Sequence, residues 1–331
     1  MPDNDWQGRS VLVTGAGGFV GSWLAQALIE RQAAVTLILR DEAAHTNLDF
    51  LGLHARANVV RGSIADYQLV ERALNEYEVD TCFHLAAQAI VGPANRSPLS
   101  TFESNIRGTW TILEACRQTG VTRVVVASSD KAYGQQPFLP YTEDSPLLGT
   151  APYEVSKACT DLLARSYRLG FGQSVTVARC ANIYGGGDFN FSRLVPGTIR
   201  SILTGERPII RSDGTPERDY VYVEDAVEAY LALGACPDEA VGDSPAFNFG
   251  SGRPISALSL VQRVAHLCGR PDLPPDVRGA GPGSNEIDCQ YVDSSRARAV
   301  LGWSPRVSVD DGLSRTVGWY RQVLSEQKAA A

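Results

Sequence analysis

Two short stretches carry residues whose types and spacing allow chemistry. Ser128, Ser129, Asp130 and Lys131 follow the apolar run 124–127, so an acid and an amine stand side by side where a strand runs out. Further on, Tyr153 and Lys157 lie four apart in YEVSK, which sets both on one face of a helix. A phenol titrates at about 10. A cation beside it lowers that value and makes the oxygen a usable base near neutral pH. On its own Asp130-Lys131 reads as a turn, with the Asp bonded to its backbone and the Lys in water.

Such an arrangement needs strand ends and helix starts gathered at one edge of a sheet, and the pattern supplies them. Apolar strands are predicted over 10–16, 34–40, 57–63, 81–87, 121–129 and 174–182. Helical stretches fall over 21–32, 67–77, 101–120 and 151–171. Near-continuous apolar strands separated by helices predict an α/β fold, a Rossmann-type doubly wound parallel sheet. After residue 182 the pattern loosens into a helix over 193–205, a short strand over 208–212, strand then helix over 218–234, and a mixed region over 251–314. The reading is a sheet domain over 1–181, with 219–250 returning to it, and a smaller mixed C-terminal substrate domain from 182–218 and 251–327.

The first strand ends in TGAGGFVG. Gly15, Gly18 and Gly21, with Phe19 and Val20 between them, form a strand-to-helix turn where missing Cβ atoms let backbone N–H groups reach a pyrophosphate. The second strand ends in Arg40-Asp41. Arg40 would meet the 2′-phosphate of NADP, and Asp41 would hold the ribose of NAD. The balance tips slightly to NADP.

The bulk composition limits the partners. A chain of 331 residues, 44% hydrophobic, is long enough for a full core. With a net charge of −7 and no basic run, nucleic acid and an anionic membrane surface are not expected partners. The first ten residues lack a signal-like apolar core, and no apolar run reaches membrane-spanning length, so a cytoplasmic protein is expected. Seven cysteines without a CxxC pair predict reduced thiols, and the four histidines show no ligand spacing, so no metal site is expected. His84, inside an apolar strand, reads as a satisfied core histidine.

Taken in order, TGAGGFVG, FHLAAQ, SNIRGT, SSDKAYG, YEVSK and RDYVYVED resemble the extended short-chain dehydrogenase/reductases of the NAD-dependent epimerase/dehydratase family, which act on nucleotide sugars. The resemblance runs to LGWSP at 301–305. It implies a nucleoside diphosphate sugar as partner and a tightly bound, recycled NAD(P). It implies Tyr153 as base, Lys157 as its partner and Ser129 as the hydroxyl on the sugar oxygen. Further cofactor contacts implied are Ser63, Ile64, Leu85, Ala86, Ala87, Gln88 and Asn105. Ser63 stands where the family often has Asp. For the substrate, the resemblance implies Asn182, Arg193, Arg211, Arg218 and Glu286, with Gln88 at the sugar end. It also implies a homodimer through a four-helix bundle.

The Asp-Lys pair resembles the CDP-glucose 4,6-dehydratase branch, whose members oxidise C4, eliminate water across C5 and C6, and return the hydride to C6. Asp130 would protonate the leaving hydroxyl. Lys131 would take the C5 proton or stabilise the enolate. The segment RDYVYVED looks more generic and leaves the nucleotide open. The alternatives are a UDP-sugar 4-epimerase using the same Tyr and Lys, and a non-catalytic NAD(P)-binding sensor, against which the retained Tyr–Lys pair argues.

Overall fold

The computed structural model describes residues 6–41, 46–279 and 287–330. Seven strands make the main sheet: β1 Ser10–Thr14, β2 Ala34–Leu39, β3 Asn58–Arg61, β4 Thr81–His84, β5 Arg123–Ala127, β6 Val175–Cys180 and β7 Ala246–Phe249. Their order across the sheet is β7-β6-β5-β4-β1-β2-β3, and every neighbouring pair is parallel. The order reverses direction beside β1, the crevice where doubly wound sheets take a nucleotide. β4 and β6 are buried at every residue, as strands covered on both faces must be. One apolar cluster fills one side of the sheet, from Trp6 and Leu24 to Phe247 and Trp303. Another fills the opposite side, from Leu12 and Val70 to Ile112 and Val126.

The predicted helix over 101–120 is three pieces. Pro98–Phe102 is α-helical, Glu103–Arg107 is a π turn, and Gly108–Thr119 resumes the α-helix. Asn105 sits in the widened turn and is buried. A Cβ on Gly108 would lie 2.5 Å from the end of the Ile64 side chain, so the helix packs closely on the loop that follows β3.

Beyond β6 the chain leaves the sheet and comes back. Asn182–Tyr184 pairs with Tyr220–Tyr222, and Glu217–Arg218 is the middle of a three-stranded ribbon between Ile255–Ser256 and Cys289–Gln290. The predicted strand within 218–223 is therefore two strands, parted at Asp219. That residue is fully buried, and its carboxylate accepts from the amides of Ser251 and Gly252, both at 3.0 Å. The chain then runs through helix Val223–Ala235 into β7 before the helices Ala257–Leu267, Ser295–Leu301 and Val309–Ala330. A third apolar cluster, including Tyr184, Ile199, Leu260 and Tyr320, lies under this second part. No helix of the described residues is long and apolar enough to cross a membrane.

Candidate active site

A continuous cavity of about 2300 Å³ runs from the glycine turn to the ribbon of the second part. At one end the backbone of Gly15 has φ +78, and a Cβ there would lie 2.6 Å from the amide of Ala86. A Cβ on Gly21 would overlap the carbonyl of Gly15. Gly18 caps helix Phe19–Glu30 without a side-chain bond, so the first amides of that helix have no partner within it. A bare helix N-terminus walled by glycines fits a dinucleotide pyrophosphate. Phe19, Val20, Ser63, Ile64 and Leu85 to Gln88 line the same stretch.

At the end of β2, Arg40 donates through Nε to Asp41 at 2.8 Å and through Nη2 at 2.7 Å. Arg40 and Asp41 are thus paired with each other at this strand end. Asn105 does not line the cavity. It grips the peptide of Gln88 from behind, accepting from its N–H at 2.6 Å and donating to its carbonyl at 3.2 Å, and also donates to Ser156 Oγ at 2.9 Å. Its action on a ligand would pass through Gln88.

The middle of the cavity brings together Ser129, Asp130, Lys131, Tyr153 and Lys157. β5 delivers the first three, and Ser129 caps a short 3₁₀ turn over Asp130–Tyr133, accepting from the amide of Lys131 at 3.2 Å. Asp130 is only 2% exposed. Its Oδ1 accepts from Ser129 Oγ at 3.1 Å, whereas its buried Oδ2 has no hydrogen-bond partner. Lys131 Nζ donates to Oε1 of Gln290, and Gln290 Nε2 donates to the carbonyl of Asp130 at 2.8 Å.

Helix Pro152–Phe171 delivers Tyr153 and Lys157. Burial pushes the Tyr153 phenol above its ordinary value, while the Ser129 hydroxyl and the charge of Arg193 pull the other way. Lys157 Nζ donates to the carbonyl of Ala127 at 2.7 Å, and burial lowers its ammonium to about 8. The expected lowering of the phenol by Lys157 therefore does not dominate in this structure, because burial outweighs the nearby cations.

A buried network braces these elements. Asp161, one further helical turn from Lys157, accepts from Arg179 Nε at 3.0 Å and Nη2 at 2.8 Å, and from Ser128 Oγ. Arg179 also donates to the Tyr133 hydroxyl at 2.8 Å, which donates to Asn248 on β7 at 2.7 Å. β5, β6, β7 and the Tyr153 helix are thereby tied at the strand end that carries Asp130 and Lys131. His84 bridges Thr14 (2.8 Å) and Thr109 (3.1 Å) beneath the site, and burial lowers its pKa to about 3, so it is a neutral core residue as expected.

The far end of the cavity is cationic. Arg193 pairs with the buried Asp188 at 2.9 Å, Arg211 donates to the carbonyl of Ser192 at 2.8 Å, and Arg218 donates to the carbonyl of Glu217 at 2.8 Å. All three line the cavity with Asn182, whose side chain donates to the carbonyl of Asp219 at 3.1 Å. Glu286 lies outside the described residues. Sequence reasoning missed Gln290, Asp161, Arg179 and Asp188. Only Asp161 had a local signal, the repeated spacing of four after Tyr153 and Lys157.

Comparison with known proteins agrees with this geometry. The family described as NAD dependent epimerase/dehydratase matches residues 11–250. A CDP-glucose 4,6-dehydratase of Salmonella typhimurium is 31% identical, over 96% of this chain and 92% of that protein. A UDP-glucose 4-epimerase structure from Thermotoga maritima, with UDP-glucose, superposes with a TM-score of 0.87 at 30% identity, covering 95% of this chain and 99% of that one. A dTDP-glucose 4,6-dehydratase structure from Streptomyces venezuelae, with NAD bound, gives a TM-score of 0.85 at 29% identity, covering 96% and 98%. The NADP preference drawn from Arg40 gains no support from these relatives.

Proposed function

We propose that this chain, which belongs to the NAD dependent epimerase/dehydratase family, is a nucleotide-sugar 4,6-dehydratase that uses NAD and favours a CDP-glucose-like substrate. The carrying observation is Asp130: a buried carboxyl with one unpartnered oxygen, beside Lys131 on the cavity wall. An epimerase has no use for a proton donor there, whereas loss of the C6 hydroxyl requires one.

Bound at the glycine turn, NAD would supply a hydride acceptor for sugar C4 and return that hydride to C6. The chain's own residues would do the rest. Tyr153 takes the proton of the C4 hydroxyl, and Ser129 holds the sugar oxygen. Oxidation at C4 acidifies the C5 hydrogen. That hydrogen leaves as a proton to the neutral amine of Lys131, its electron pair forms the C5–C6 double bond, and the C6 oxygen departs as water with the proton of Asp130. Lys131 then returns its proton to C5. Arg193, Arg211 and Arg218 offer guanidinium forks to the diphosphate, which explains how an acidic protein takes an anionic substrate. In this reading 1–181 with 219–250 hold the cofactor, and 182–218 with 251–327 hold the nucleotide sugar.

Trp110, Leu162, Leu169 and Phe171 project from two adjacent helices, each about half exposed. They support a homodimer through a four-helix bundle.

The test is a product assay. Purified protein is incubated with CDP-, dTDP- and UDP-glucose, each with NAD+ and with NADP+. Mass spectrometry should show loss of one water with NAD+. The likeness to the Thermotoga maritima epimerase favours a second reading, a UDP-sugar 4-epimerase, which would give an isomer of unchanged mass.

A further inference from the structure

Gln290 is fully buried and lies 159 residues from Lys131 in the chain, on the short strand Cys289–Gln290 of the second part. Its amide engages both halves of the reactive pair. Nε2 donates to the Asp130 carbonyl at 2.8 Å, and Oε1 accepts from Lys131 Nζ. A backbone carbonyl can only accept, so the nitrogen end must face Asp130 and the oxygen end must face Lys131. The amide has one satisfactory orientation. The Lys131 amine sits on a flexible four-carbon stem, and an acceptor fixed in place selects one position for it.

The strand that carries Gln290 has a second neighbour of interest. Gln290 stands opposite Arg218 in the parallel register, and the Asp219 amide donates to the Gln290 carbonyl at 3.2 Å. One ribbon therefore bears both the hold on Lys131 and a guanidinium at the cationic end of the cavity.

We propose that Gln290 is a positioning residue for the elimination: it aims the Lys131 amine at sugar C5 while it fixes the turn that carries Asp130. This rests on the dehydratase reading above. The simpler view is that Gln290 only satisfies a buried carbonyl. The two differ in whether its effect passes through Lys131.

The experiment is single-turnover kinetics with whichever of CDP-, dTDP- or UDP-glucose the native protein dehydrates. C4 oxidation is read as transient NADH fluorescence, and water loss by quenched-flow mass spectrometry. Gln290→Met should slow water loss on the order of 10- to 100-fold, the cost of a displaced reacting group, and leave the oxidation phase near native. In a Lys131→Met background the same change should cost nothing further. Gln290→Asn, which keeps both an amide acceptor and an amide donor, should retain more elimination than Gln290→Met, and it serves if the Met variant does not fold.

Water loss at the native rate in Gln290→Met overturns the proposal. So does equal slowing of both phases, full additivity with Lys131→Met, or an Asn variant slower than the Met variant. A native protein that isomerises its sugar without losing water removes the dehydratase reading itself, and the proposal with it.

Discussion

At the scale of single residues, burial acts most on the groups that the dehydratase reading asks to exchange protons. Asp130 keeps one oxygen without a hydrogen-bond partner inside the protein, where an unpaired polar atom is costly. Replacing it by Asn preserves shape and removes the acid. Asp130→Asn should lose water elimination by about 10²- to 10⁴-fold while NADH still appears transiently. Normal elimination in that variant would remove the acid role.

His84 makes a prediction of another kind. Its folded pKa of about 3 lies below the ordinary 6.5 because burial disfavours the imidazolium. Between those values the unfolded chain binds a proton that the folded chain refuses, so stability is full above pH 6.5 and falls as the pH is lowered. At pH 5 the loss attributable to His84 is roughly 2 kcal/mol. Urea unfolding at pH 7 and pH 5 should show this slope in the native protein and a flatter one in His84→Asn. Identical slopes would mean that another group sets the acid sensitivity.

At the scale of elements, the parallel strands and their helices were legible because their apolar runs are long and their periods differ. The glycine turn and the Tyr–Lys helix were legible for the same reason: each is a local pattern. The π turn at Glu103–Arg107 was not, since its cause is tertiary. Asn105 turns inward to hold the Gln88 peptide, and the helix widens around it. Nor was the brace of Arg179 and Asp161, whose members lie on different elements and meet only when β6 packs on the Tyr153 helix.

The brace has a measurable worth. Arg179→Met leaves the Asp161 carboxylate buried without its cation and should cost about 3–5 kcal/mol. Arg179→Met combined with Asp161→Leu should recover much of that loss in a denaturant midpoint. A single variant as stable as the native protein would show the pair to be idle.

At the scale of the whole molecule, the sequence pattern reached as far as a sheet domain, a second part, and an expected return of 219–250 to the first. The ribbon strands are two residues each, too short for any periodicity, so neither Gln290 nor the split at Asp219 left a local trace. Association is the property to test here. Trp110→Glu with Leu162→Glu should shift the protein from dimer to monomer in analytical ultracentrifugation. A native protein that sediments as a monomer would end the four-helix-bundle reading.

The return of the chain to the sheet at β7 also limits how this protein can diversify. Its second part is not a cassette. Excising everything after residue 182 would strip Ala246–Phe249 from the sheet edge, and with it the Asn248 that anchors the Tyr133 hydroxyl. A chimaera that borrows a relative's specificity must graft two separate stretches and leave the strand between them untouched.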